Sequence, residues 1–179
     1  MKSRNIIILA FSFFFIMFAS GFFFVVDQTK QVIVLQFGEP TAVHKTPGLK
    51  FKLPFIQNVV YYDSRVLNLD PAQEEVILRD QKRIVVDSIV RYMIKDPLKF
   101  FQTTRTELAL NDRLGRIVNS SVRGVIAQYQ LNDLLSDARN NIMAEIFENV
   151  REDQDNFGIE IVDLRLKRTE LTPEVQSNV

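Results

Sequence analysis

The sequence has no cysteine and only one histidine, His44, among its 179 residues. Without cysteine the chain forms no disulfide and offers no thiolate to a metal. Zinc sites take about three or four His, Cys or carboxylate ligands, so a single histidine argues against zinc. A Ser-His-Asp catalytic triad would have to use His44, and no Gly-x-Ser-x-Gly motif is present. We expect no metal, no cofactor and no catalytic residue.

An excess of charge of one sign is also lacking. The 22 basic and 22 acidic residues give a formal net charge of zero. No long basic tract occurs, so the chain lacks the electrostatic footprint of a nucleic-acid-binding protein. The length suits one ordinary domain, or two small ones, after an N-terminal apolar segment is set aside.

That segment, residues 6–26, is an unbroken apolar run without a charge, an amide or a proline. As a helix, about 21 residues rise about 31 Å, close to the hydrocarbon thickness of a bilayer. The run therefore predicts a single transmembrane anchor. Its large apolar residues include Ile6, Leu9, Phe13, Phe15, Ile16, Phe18, Phe22, Phe24 and Val26.

The flanks of the run predict its orientation. Lys2 and Arg4 precede it, and the positive-inside rule then places residues 1–5 in the cytoplasm as a stub and the main domain across the membrane. The alternative is a signal peptide cleaved after Gly21, at the small residues Ala19-Ser20-Gly21, which would release a secreted binding domain. The apolar core of a signal peptide is usually about 7–15 residues, so the length of the run favours a retained anchor.

Residues 27–95 carry strand signals and predict a β-rich subdomain. Val32–Leu35 is a β-branched run, and residues 84–94 alternate so that apolar side chains share one face. Residues 49–53 alternate apolar and basic side chains. This segment leads into Pro54, Phe55 and Ile56, whose apolar side chains either tuck into the core or contact the membrane surface.

Residues 96–170 predict an α/β subdomain. Asp96-Pro97 is a helix start, with an N-cap followed by proline at the first helical position. Helical spacing predicts helices over about 106–128 and 137–156, with Gly158 as the C-terminal stop. Strand period returns over 159–167, and this element order indicates an α+β fold. The predicted core where helices cover the last strand is Ile117, Val125, Ile142, Ile146 and Val162.

Three stretches together resemble a known family. They are QVIVLQFG at 31–38, PGLKFKLPFI at 47–56 and FGIEIVDLRLK at 157–167. With the N-terminal anchor, they are similar to the SPFH family of stomatins, prohibitins, flotillins and the bacterial HflK/HflC pair, and most similar to the HflC branch. The resemblance covers almost the whole chain.

The resemblance implies an SPFH-type domain on the periplasmic side of the bacterial inner membrane. It also implies a non-catalytic scaffold that forms a hetero-oligomer with an HflK-like subunit and regulates the membrane AAA protease FtsH. The family's long C-terminal helix would begin near Thr172, so residues 171–179 are expected to be the start of that helix, truncated here. A membrane-tethered hydrolase that uses His44 is the alternative function.

Overall fold

The computed structural model describes residues 21–171, with side chains described as far as Lys167, and contacts divide the chain into two compact units between Ser64 and Arg65. We call residues 21–64 unit 1 and residues 65–171 unit 2. Strands fill unit 1, whereas unit 2 combines strands with helices. The predicted α+β class is therefore confirmed.

Unit 1 consists of five antiparallel strands. They are β1 (Phe23–Val26), β2 (Lys30–Gln36), β3 (Glu39–His44), β4 (Gly48–Phe51) and β5 (Gln57–Asp63). Strand β2 lies between β3 and β5, while β1 pairs with β4. Alternate side chains of β1 and β2 meet in a core of Phe24, Val26, Val32 and Val34, against which Ala42 and Val59 pack.

The predicted transmembrane helix is wrong in its last residues, because Gly21 and Phe22 form a turn and Phe23–Val26 form β1. The side chains of Phe24 and Val26 are buried in a protein core and not directed at lipid. The remaining anchor residues, Ile6, Leu9, Phe13, Phe15, Ile16 and Phe18, lie outside the described residues. Within residues 21–171, no helix is both long and apolar enough to cross a bilayer.

In unit 2, four antiparallel strands form one sheet. The strands are β6 (Leu67–Leu69), β7 (Glu74–Ile77), β8 (Arg83–Ile94) and β9 (Ile159–Leu171). Strand β8 is central: β9 pairs along one side of its whole length, and β6 and β7 share the other side. The apolar face predicted for β8 is confirmed, since Ile84, Val86, Val90, Tyr92 and Ile94 are all buried.

Five helices lie between β8 and β9 in the chain. They are α1 (Pro97–Thr103), α2 (Glu107–Ile126), α3 (Leu131–Leu135), α4 (Arg139–Arg151) and α5 (Gln154–Phe157). The predicted start of α1 is confirmed: the Asp96 carboxylate accepts from the N–H groups of Leu98 and Lys99 at 3.0 and 3.2 Å. The helix predicted over 137–156 is interrupted between α4 and α5, and Gly158 ends α5 with a φ of 68°.

The predicted core is confirmed for Val125, Ile142 and Ile146, whereas Ile117 is half-buried. Val162 is a correction, because its side chain is 45 % exposed. The register places Tyr92 opposite Ile161 but Arg91 opposite Asp163, so Val162 is an extra residue in β9. Strict alternation with Val162 inward also predicts that Leu164 is buried. Leu164 is buried, but the reason is that the bulge shifts the alternation by one residue.

A second bulge lies further along β9. Asp87 pairs with Arg168 and Ser88 with Leu166, which leaves Lys167 as the extra residue. Its ammonium group donates to the Asp70 carboxylate at 2.7 Å.

The division of the chain lies between Ser64 and Arg65 and not at 95/96, as the sequence predicted. The reason is that β9 pairs with β8, so both strands belong to one unit.

Candidate membrane-facing surface

The outer face of the β1–β4 pair is apolar and exposed. Phe23 lies opposite Phe51, and Val25 lies opposite Leu49. These four side chains are 53–65 % exposed, with Phe23 lowest and Leu49 highest. Because side chains alternate along a strand, β1 buries Phe24 and Val26 on its inner face. A two-stranded ribbon with apolar side chains on both faces has one face left for a partner or a membrane.

The loop after β4 extends this apolar face. Its backbone is closed by the Leu53 N–H, which donates to the Gln57 side-chain oxygen at 2.8 Å, and by the Gln57 N–H, which donates to the Leu53 carbonyl at 3.0 Å. At its tip Phe55 has a φ of 68° and is 91 % exposed. A bulky residue at positive φ is strained, and here the strain accompanies a phenyl ring held in solvent.

A second exposed phenylalanine lies at the same end of unit 1. Phe37 in the β2–β3 turn has a φ of 54° and is 83 % exposed. Gln36 pairs with Gln57, so this turn and the loop ending at Ile56 adjoin the same end of the three-stranded sheet. The Gln57 amide also donates to the Gln36 side-chain oxygen at 3.3 Å. Two strained turns therefore present aromatic rings at one end of the sheet.

The N-terminal end of unit 1 joins this surface directly. The Lys52 N–H donates to the Phe22 carbonyl at 2.7 Å, and the rings of Phe22 and Phe51 stack with centroids 5.5 Å apart. The ring of Phe23 meets that of Phe51 edge-on at 6.1 Å. The chain thus arrives from the N-terminal apolar run next to the loop that carries Phe55. We call Phe23, Val25, Leu49, Phe51, Leu53, Phe55 and Ile56 the unit-1 apolar surface.

The exposure of the loop bears on one of its two interpretations. Ile56 is 40 % exposed, Pro54 half-buried and Phe55 91 % exposed, so the loop tip is not tucked into the core. Contact with a membrane surface stays a prediction. Sequence reasoning missed the β1–β4 face, because Phe23 and Val25 were assigned to a lipid-spanning helix. The alternation of Leu49, Phe51 and Leu53 with lysines was the available signal.

Ionisable side chains elsewhere contact neighbouring residues. His44 lies in β3, where its ring packs 6.1 Å from that of Phe24. Burial, helped by the charge of Glu107, raises the pKa of Tyr92 to about 12, and its hydroxyl donates to the Asn111 side-chain oxygen at 3.1 Å. The hydrogen bond to Asp70 raises the pKa of Lys167. Within residues 21–171, no group of three or more His, Asp or Glu residues is arranged to hold a metal.

Comparison with known proteins gives a consistent result. A model of the SPFH domain / Band 7 family matches residues 24–179. Protein HflC of Buchnera aphidicola subsp. Schizaphis graminum is 28 % identical over 98 % of this chain and 64 % of its own length. Protein HflC of Haemophilus influenzae is 30 % identical over 74 % of this chain and 47 % of its own. A stomatin homologue of Pyrococcus horikoshii is 24 % identical over 91 % and 59 %.

These relatives are longer than the chain, which spans between about half and two thirds of their length. The matched region begins inside β1, so the family model includes both units described above. Because that model accounts for most of the chain, the protein belongs to the SPFH domain / Band 7 family.

Proposed function

We propose that this protein is a non-catalytic, membrane-anchored scaffold whose unit-1 apolar surface rests on the membrane. The observation that carries the proposal is the position of Phe55: its ring is 91 % exposed on a loop beside the entry of the N-terminal apolar run. A segment held in lipid up to residue 20 would bring Phe51 and Phe55 to the interface. The transfer of exposed aromatic and aliphatic side chains from water into that region lowers the free energy of the system.

The likeness to HflC proteins supports a more specific role. In this proposal the protein lies in the bacterial inner membrane with its N-terminus cytoplasmic, as Lys2 and Arg4 favour, and its main domain periplasmic. There it forms a hetero-oligomer with an HflK-like subunit and regulates an FtsH-type membrane protease. A reporter enzyme that is active only outside the cytoplasm, fused after Val179, should be active; activity of a cytoplasmic reporter at that position would contradict the orientation.

The absence of cysteine makes the membrane contact directly testable. A polarity-sensitive fluorophore on the single thiol of Phe55→Cys should shift to the blue when the full chain is reconstituted into vesicles, and quenchers in the bilayer should reduce its emission. Leu108→Cys, at a position in α2 that is 78 % exposed, shows how the same fluorophore responds outside unit 1. No blue shift and no quenching at position 55 would contradict the surface contact.

The regulatory role needs a separate measurement. The turnover of a membrane substrate by an FtsH-type protease should change when the chain and an HflK-like subunit are both added to the same vesicles. Phe55→Asn should weaken this effect, because Asn accepts a positive φ but does not enter the membrane interface. A turnover that does not respond to the wild-type chain would contradict regulation, even if the fluorophore reports membrane contact.

A further inference from the structure

One edge of β9 has no strand partner among residues 21–171. Strand β8 pairs with β9 along its whole length, and β6 and β7 pair with the other side of β8. The second edge of β9 therefore presents backbone N–H and C=O groups outward. Such an edge is a template for another extended chain unless the protein covers it.

Hydrogen bonds from two side chains show which backbone N–H and C=O groups of β9 point away from β8. The Gln154 side-chain oxygen accepts from the Ile161 N–H at 3.1 Å, and the Arg139 guanidinium donates to the Leu166 carbonyl at 3.5 Å. Backbone groups of alternate residues point to the same edge of an antiparallel strand. Leu164 therefore shares the orientation of Leu166, and the side chains of Gln154 and Arg139 mark the two ends of the open stretch.

A groove runs beside this open stretch. Its volume is about 330 Å³, and it is lined by Arg139 and Met143 of α4 and by residues 163–166 of β9. Met143 and Arg139 are both half-buried. A strand edge bordered by a helix is a geometry that extended peptides use: main-chain hydrogen bonds to the edge give affinity, and contacts with the helix select side chains.

The charges of the groove indicate what it would accept. The Arg165 guanidinium donates to the Asp163 carboxylate at 2.7 Å, so these two charges compensate each other. Arg139 has no carboxylate within salt-bridge distance among the described residues, and its contact is a long hydrogen bond to a neutral carbonyl. The uncompensated charge of the groove is therefore positive, and a carboxylate on the occupant would complement it.

We propose that this groove binds an extended, acidic segment of a partner protein, which adds to β9 as a further strand and places a carboxylate against Arg139. The occupant forms hydrogen bonds with the N–H and C=O of Leu164 and with the N–H of Leu166, and sets an apolar side chain against Met143. This inference goes beyond the proposed membrane scaffold and does not depend on it.

The test uses the full chain in mild detergent and a set of capped peptides of about eight residues that alternate Val, Leu or Phe with Glu. We expect members of the set to bind with a Kd below about 1 mM and to protect the Leu164 and Leu166 amides from hydrogen exchange. Peptides of the same sequence with N-methylated backbones should not bind, because they keep the side chains but lack the N–H donors.

Two variants locate the site. Arg139→Glu should weaken binding at least about tenfold by repelling the acidic peptide. Met143→Glu should also weaken it at least about tenfold, because it places a negative charge where the peptide's apolar side chain would lie. Arg151→Glu is the control, since Arg151 lies on the same helix but outside the groove, and circular dichroism checks that all three fold.

Three results would overturn the proposal. The first is the failure of the whole set to bind, and the second is binding that survives N-methylation or is unaffected by Arg139→Glu. The third is full protection of the Leu164 amide in the free chain, which would mean that residues 172–179 or a second copy already cover this edge.

Discussion

Asp96 and Gly158 hold the start of α1 against the start of β9. The Asp96 N–H donates to the Gly158 carbonyl at 2.8 Å, and the Asp96 carbonyl oxygen lies only 2.6 Å from the position that a Cβ on residue 158 would occupy. Gly158 also has a φ of +68°. Both the backbone conformation and the close approach therefore require glycine at this position.

Gly158→Ala should lower the free energy of unfolding by about 2–4 kcal/mol, because alanine is strained at this φ and its methyl group overlaps backbone that cannot move freely. Gly124→Ala is the control: residue 124 is inside α2, and apart from its chain neighbours and the adjoining helix backbone no atom lies within 4 Å of an added Cβ. It should raise stability by about 0.5–1 kcal/mol. Urea unfolding measures both, and equal effects would refute the interpretation.

Tyr92 should make the protein less stable above about pH 10. Its pKa is raised from 10.0 to about 12 in the folded chain, so between these values the folded protein keeps a proton that the unfolded chain loses. The contribution of Tyr92 to the free energy of unfolding is therefore fully present below pH 10, and about 2–3 kcal/mol is lost as the pH approaches 12.

Tyr92→Phe isolates this contribution from the other groups that titrate at high pH. The variant should lose about 1 kcal/mol near neutral pH with the hydrogen bond to Asn111, but show a shallower loss of stability between about pH 9 and 11.5. Urea unfolding across this range is the measurement, and identical pH slopes for the two proteins would contradict the assignment.

Ile146 and Val162 should differ strongly when each is changed to alanine. Ile146 is fully buried, at 0 % exposure, and its truncation should cost about 2–5 kcal/mol. Val162 is on a bulge and 45 % exposed, so its truncation should cost less than about 1 kcal/mol. A large loss for Val162→Ala would mean that the alternation of β9 is not reversed at this residue.

A fragment that begins at Asp27 should be less stable than one that begins at Gly21. The shorter fragment lacks β1, and burial of Phe24 and Val26 is worth about 1.5–3 kcal/mol for each side chain. It also leaves β4 without its partner strand. Thermal unfolding and limited proteolysis compare the two fragments; equal resistance within unit 1 would show that β1 contributes little.

Sequence reasoning worked where the signal is local. The Asp96-Pro97 start of α1, the Gly158 stop and the buried face of β8 depend on short patterns, and the structure confirms all three. It failed for β1, because an apolar run looks the same whether it crosses lipid or enters a protein core, until its partner β4 is known. The exposure of Phe23 and Val25 is hidden for the same reason.

The bulge at Val162 could not be predicted, because it is a property of the pairing of β8 with β9 and not of either strand alone. The same is true of the division of the chain at Ser64. The open edge of β9 likewise becomes visible only when the strand order is known.

The two extra residues of β9 also bear on how its length can vary among homologues. Deleting Val162 would leave a regular ladder in which Ile161 and the leucine now at 164 still alternate with the aspartate between them. A single deletion between residues 163 and 166 would instead turn part of the strand inside out and bury charged side chains. Alignment gaps within this strand are therefore expected to fall at positions 162 and 167, where natural insertions and deletions leave the core face unchanged.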